Sequence, residues 1–153
     1  MKATEFLRRQ HREVKRLFSE TKKGSEARRR KGMDEIAEKL AAHMEIEEKI
    51  FYPAVAEVGT KKAHELVPEA YEEHHVARLV IAELPGVEPD DERWLAKMTV
   101  LEELIEHHVE EEESEIFKLA DKLGAERLDE LGDELESAFD SRTSEPRRAA
   151  AGR

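Results

Sequence analysis

Two glutamates in this chain fall where an amphipathic helix should be apolar, and each follows a histidine by four residues. One stripe reads Ile36, Leu40, His43, Glu47, Ile50 and Ala54; the other reads Leu101, Ile105, His108, Glu112, Ile116 and Leu119. Residues four apart stack on one helical face, so each pair can aim an imidazole and a carboxylate at a single point. Burying an unpaired carboxylate costs several kcal/mol, so two such helices demand a buried positive partner. A metal ion is that kind of partner. Lone histidines, His11 and His74, sit on two further apolar stripes: Phe6, Leu7, Val14, Leu17 and Phe18 around the first, Val67, Ala70, Ala77 and Ile81 around the second.

The background to this pattern is helical. More than half of the 153 residues are Ala, Glu, Lys, Leu or Arg, and 41% are charged. That composition belongs to long amphipathic helices and not to sheet. A chain of this length fits one domain. Helical periodicity predicts segments from Thr4 (as N-cap) to Lys23, from after Gly32 to about Gly59, from Lys61 to Leu84 with Pro68 a possible kink, from Asp91 to Leu123, and a short one from Ala125 to Phe139. Gly24 to Gly32 reads as a connection with room for some helix inside it, with Arg28-Arg29-Arg30-Lys31 as a solvated turn, and Pro53 is placed to kink or close the second helix. The expected fold is all-α: an up-down-up-down four-helix bundle over residues 1–140 with a short C-terminal fifth helix, then a disordered tail over 141–153. The formal net charge of −11 argues against nucleic-acid and anionic-membrane partners. There are no cysteines, which excludes thiolate metal sites and disulfides. No leader or membrane span is evident, and the expected location is cytoplasmic.

Each histidine has an ordinary reading when taken alone. His11 could be a hydrogen-bonded core residue, and either His-x-x-x-Glu pair a surface contact. Jointly, with both glutamates on apolar faces and the pattern repeated, a metal site is the better reading. In the doublets His74-His75 and His107-His108 only one member can face inward. Apolar neighbours select His74 and His108, with His107 beside Glu111 or Glu112 as the alternative. His64 belongs on the surface, and Glu48, Glu110, Glu111 and Glu113 in solvent or just outside the site.

His11, His43-x-x-x-Glu47-Glu48 with Phe51-Tyr52-Pro53, Glu73-His74, and His108-x-x-x-Glu112-Glu113 with Ile116-Phe117 resemble the pattern of hemerythrin-like proteins, the HHE cation-binding domain. The resemblance covers residues 4–139. It implies two irons inside the bundle, oxo- or hydroxo-bridged, with Glu47 and Glu112 as bridging carboxylates and His11, His43, His74 and His108 as terminal ligands. Manganese or zinc is the lesser alternative. Oxygen-carrying members resemble His-x-x-x-His on the third helix, where this chain has Arg78 in the second place. Losing that imidazole leaves two open coordination positions instead of one, unless water, Tyr71 or a nearby carboxylate fills the gap. The expected ligands are dioxygen, peroxide or nitric oxide. Peroxide-consuming, catalase-like chemistry is favoured over simple oxygen carriage, with reversible oxygen binding, sensing or iron handling, and a metal-free helical interaction module as alternatives. A ferritin-like oxidase would need two Glu-x-x-His motifs, and only Glu72-x-x-His75 fits. No protein partner can be read from the sequence.

Overall fold

In the computed structural model the described residues are 1–151 for the backbone and 1–143 for side chains. They are helical throughout, in the order α1 (Ala3–Lys23), α2 (Glu26–Ile46), a π-helical turn (Glu47–Phe51), α3 (Tyr52–Ala56), α4 (Lys61–Glu83), a 3₁₀ turn (Leu84–Gly86), α5 (Glu92–Glu111), a second π-helical turn (Glu112–Ile116), α6 (Phe117–Asp121) and α7 (Ala125–Ala151). The π turns join α2 to α3 and α5 to α6 without a break, so the bundle has four long rods in up-down-up-down order. The fifth helix, α7, packs across α1 and α2.

Caps explain most of the boundaries. The hydroxyl of Ser25 accepts from Arg28 N at 3.2 Å, that of Thr60 from Ala63 N at 3.2 Å, and the carboxylate of Asp91 from Arg93 N at 2.9 Å. Gly59 and Gly124 adopt φ of 72° and 91°, which ends one helix and starts the next at no steric cost. Three sequence expectations need correction. Thr4 does not cap α1; it lies buried inside it, and Lys2 takes the N-cap position without a side-chain bond. The predicted connection from Gly24 to Gly32 shrinks to Gly24-Ser25, because α2 begins at Glu26. The arginine run is not a solvated turn either. Arg29 donates to the carbonyls of Pro89 and Lys22, both at 2.9 Å, and lies over the Trp94 ring, tying the far end of the bundle together.

The core forms two apolar clusters. One surrounds Phe6, Leu7, Ile46, Phe51, Val55, Phe117 and the α7 residues Leu128, Leu131 and Leu135. The other, at the opposite end, holds Phe18, Met33, Ile36, Leu40, Trp94, Met98 and Leu101. Polar residues of the four rods lie between them as one layer, which is the position of the candidate site. The fifth helix continues past its expected end at Phe139: Arg142 Nη1 donates to Ala138 O at 3.1 Å and Thr143 Oγ1 to Phe139 O at 2.9 Å. The expected tail over 141–153 falls, from Ser144 for side chains and from Gly152 for backbone, outside the described residues.

The seat of α7 gives a stability prediction. A Cβ on Gly132 would fall well inside contact distance of the Met1 carbonyl oxygen and 3.0 Å from Ala3 N, so backbone must move to admit it. Gly132→Ala should therefore destabilise by about 1–3 kcal/mol, outweighing the roughly 1 kcal/mol that alanine gains in a helix. Gly86→Ala, with nothing within 4 Å of the added atom, is the control that thermal unfolding should leave unchanged.

Candidate metal centre

The six residues singled out by sequence meet in the polar layer. Glu47 and Glu112 are fully buried, and His11, His43, His74 and His108 are nearly so. Nε2 of His43 lies 3.2 Å and Nε2 of His74 3.1 Å from Glu47 Oε1. On the other carboxylate, Nε2 of His11 lies 3.2 Å from Oε1 and Nε2 of His108 3.3 Å from Oε2. The Nε2 of His108 also reaches to 4.0 Å from Glu47 Oε1, and to 3.1 Å from the Nε2 of His74. All four imidazoles thus present the same nitrogen inward, onto two carboxylates from the diagonal pair of rods.

The outward nitrogens are equally ordered. Nδ1 of His11 meets Glu113 Oε2 at 2.7 Å, that of His43 meets Gln10 Oε1 at 2.6 Å, that of His74 meets Glu48 Oε2 at 2.7 Å, and that of His108 meets Glu73 Oε1 at 2.8 Å. Each acceptor sits beside a site residue on the preceding rod, so the four contacts form a closed ring: the first rod holds the second, the second the third, the third the fourth, and the fourth the first. An oxygen acceptor on Nδ1 sets the tautomer that leaves Nε2 with a free lone pair.

A seventh group was not foreseen. Tyr52 is fully buried, and its Oη donates to Glu112 Oε2 at 2.5 Å while lying 3.3 Å and 3.2 Å from the Nε2 atoms of His74 and His108. In a regular helix a residue five after Glu47 is rotated by about 140° away from it. The π turn removes most of that offset: Tyr52 N–H bonds to Glu47 O, five residues back, and the two side chains share a face. The other half repeats the turn, with Phe117 N–H on Glu112 O, and places a phenylalanine in the equivalent position. Tyr71, which sequence offered for the gap, instead donates to the backbone oxygen of Glu48 at 2.8 Å. Arg78 is exposed and donates to Glu48 Oε2 at 2.8 Å, the same oxygen that His74 Nδ1 meets, so it braces the ring from the surface without reaching the site. His75, His107 and His64 are exposed.

Electrostatics show what the cluster lacks. Glu47 Oε1 and Oε2, Glu112 Oε1 and His11 Nε2 are buried without a hydrogen-bond partner, the imidazole contacts being close but poorly aligned. Burial, reinforced by the charge of Glu112, pushes the Glu47 carboxyl up to about 7. Glu112 goes the other way: burial opposes its charge, but its close polar contacts with Glu47, His108 and His11 hold it well below the usual carboxylate range. Burial and the neighbouring His108 press His74 down to about 4. Burial also disfavours charge on His11, yet the close contact with the Glu112 carboxylate and the hydrogen bond to Glu113 raise it to about 9. Burial and the two glutamates drive the Tyr52 hydroxyl well above its ordinary value. Such a layer is poised against itself, and cations answer it: the ligand atoms of His11, His43, Glu47 and Glu112 lie within 4.8 Å of one another, as do those of Glu47, His74 and His108. The two clusters share Glu47, and their nitrogen and oxygen donors suit a metal cation. Beside them is a small apolar cavity of about 20 Å³, walled by the four imidazoles with Val14, Leu40, Met44, Ile105 and Val109.

A four-helix bundle with imidazoles and carboxylates converging inside it defines a class of helical metal-binding proteins. The sequence matches the hemerythrin HHE cation binding domain over residues 2–120, and the chain belongs to that family. Its fold is similar to the crystal structure of a hemerythrin HHE cation binding domain-containing protein from Mycobacterium kansasii, with a TM-score of 0.82, 22% identity, and coverage of 95% of this chain and 89% of that one. A protein described as a DNA nickase, from Nostoc sp., is 24% identical over 141 residues, which cover 90% of this chain. The chain spans 39% of the length of that relative. Among the described residues no helix is long and apolar enough to cross a membrane.

Proposed function

We propose that the chain is a non-haem diiron protein in which Glu47 and Glu112 bridge two irons, His11, His43, His74 and His108 bind them terminally, and hydrogen peroxide is the substrate. The observation that carries the metal reading is the ring of four Nδ1 contacts, which turns every Nε2 toward two buried carboxylates, three of whose four oxygens lack hydrogen-bond partners. Bound irons would supply Lewis acidity and reversible electron exchange. The chain supplies the rest. Its apolar cavity exceeds the roughly 10–15 Å³ that one water needs, so it has room for one very small molecule and little else.

Tyr52 favours peroxide over oxygen carriage. A phenol oxygen beside the Nε2 atoms of His74 and His108 is a hard group that would favour ferric over ferrous iron, whereas carrying dioxygen requires the ferrous state. Peroxide disproportionation balances without an outside reductant: one molecule is oxidised to dioxygen, releasing two protons and two electrons, and a second takes them up to give two waters. The protons need a local holder. Tyr52 Oη, hydrogen-bonded to Glu112 Oε2, is placed to hold one and pass it inward.

Metal analysis with absorption spectroscopy, before and after peroxide, tests the proposal. The expected result is two irons per chain, near-ultraviolet absorption of a bridged diferric pair, and half a mole of dioxygen released per mole of peroxide consumed. One metal or none in iron-replete protein would overturn the diiron reading. Two irons with no peroxide consumption would overturn the substrate alone.

A further inference from the structure

We propose that the seam between α1 and α5 is the entrance to the centre, and that its carboxylate rim admits small uncharged molecules in preference to anions. The proposal deepens the reading of the centre given above and rests on it for the identity of what enters. A surface groove of about 300 Å³ lies along this seam, with Lys15, Glu102, Glu106 and Glu110 at its polar edge. It shares His11, Val14, Ile105 and Val109 with the 20 Å³ cavity against the imidazoles, so a wall one side chain thick separates the two spaces.

The other seams are latched at the level of the site. Between α1 and α2, Gln10 binds His43 and Lys39 binds Glu13 at 2.5 Å. Between α2 and α4, Glu48 binds both His74 and Arg78. Between α4 and α5, Glu73 binds His108. The end facing α7 is closed by Tyr52, Phe51 and Phe117. Along α1 and α5 the latches are His11 with Glu113 at one end and Lys22 with Glu102, at 2.9 Å, at the other. Between them the apolar wall of the groove is Val14, Phe18, Ile105 and Val109. The first two are buried and the other two half-exposed. Apolar side chains change rotamer without breaking a hydrogen bond, so this is the stretch of wall that opens most readily.

Charge sets the preference. Lys22 neutralises Glu102, so among the residues lining the groove Glu106 and Glu110 are opposed by one cation, Lys15, on a chain whose formal net charge is −11. Undissociated peroxide, dioxygen and nitric oxide cross such a rim freely. An anion such as azide meets a repulsion that salt screens.

Because the chain has no cysteine, a single introduced thiol reports access whatever metal is bound. Ile105→Cys should react with a neutral methanethiosulfonate at least a hundredfold faster than Leu101→Cys, one turn away in the closed core. Val109→Cys gives a second position should the first perturb folding. At low ionic strength a cationic reagent should outpace an anionic one about fivefold, each rate being normalised to a free thiol, and high salt should abolish the difference. Glu106→Lys/Glu110→Lys should reverse the order. Equal rates at Ile105 and Leu101 would overturn the entrance; an anionic reagent as fast as the cationic one would overturn the selectivity. In iron-loaded protein, capping the thiol at 105 should slow nitric oxide association at least tenfold with the metal count unchanged, and an unchanged rate would also overturn the entrance. If no iron binds and the labelling pattern holds, the reading of the centre fails while the entrance stands.

Discussion

Iron-replete Glu47→Ala and Glu112→Ala proteins should each hold one weakly bound metal or none, in place of two, and unfold at the temperature of the metal-free chain. Glu47 lies within reach of His43 and His74 and more distantly of His108, and Glu112 within reach of His11 and His108, so neither carboxylate belongs to one metal position alone. Removing either therefore weakens both. Binding to the native state stabilises it by about 4 kcal/mol when ligand stands at a thousandfold above its dissociation constant, and that contribution should vanish with the metal. In metal-free protein Glu47→Ala should be neutral or stabilising by up to about 2 kcal/mol, because it deletes a buried carboxylate with both oxygens unpartnered, whereas Glu112→Ala should destabilise modestly, because it strips the buried Tyr52 hydroxyl of its acceptor. The diagnostic is the difference between loaded and metal-free forms, followed by calorimetry and metal analysis. Equal losses in both would make the glutamates ordinary structural residues.

The six central residues were legible because regular helical spacing put an acidic side chain in the middle of an apolar stripe, twice. Nothing but a buried partner makes sense of Glu47 between Leu40 and Ala54. The same periodic reasoning hid Tyr52, because the extra residue of the π turn shifts the register just after Glu47, and no residue in Glu-Glu-Lys-Ile-Phe announces such a turn. The repeat did contain a clue: both π turns begin at the glutamate of a His-x-x-x-Glu pair, at Glu47 and at Glu112. The acceptors of the ring were half visible. Glu48 and Glu113 stood out as polar neighbours of the site, but their pairing with His74 and His11 is made across helices and is a property of packing. Gln10 gave no signal at all. Gly32 misled in another way. Beside a basic run it reads as part of a connection, whereas it lies inside α2 where an added Cβ would strike Thr21, so it marks close approach of two helices.

Tyr52→Phe should keep the fold and the metals while changing the chemistry. The phenyl ring still fills its place between Phe51 and Tyr71, and only Oη is lost. Glu112 Oε2 then has no phenol donor, and the space beside the Nε2 atoms of His74 and His108 opens. Peroxide consumption should fall by about 10²-fold, the usual contribution of one positioned proton donor. The iron pair should also become easier to reduce, with a longer-lived adduct when the ferrous form meets dioxygen, since the hard oxygen donor is gone. If the phenol oxygen joins a metal, the ferric protein should show visible absorption that the variant lacks; if it only holds a proton, the spectra should agree while activity differs. Arg78→His separates these readings further. Sequence spacing places an imidazole there within one turn of His74, but Arg78 points to Glu48 and Tyr52 already stands beside His74 and His108. Alone, Arg78→His should therefore alter peroxide consumption by less than about twofold, since Glu48 keeps its contact with His74 and one exposed ion pair contributes little. Combined with Tyr52→Phe, it should supply the missing nitrogen and further lengthen the life of the oxygen adduct. A large effect of Arg78→His by itself would show that the open position lies on the α4 side and that Tyr52 does not occupy it.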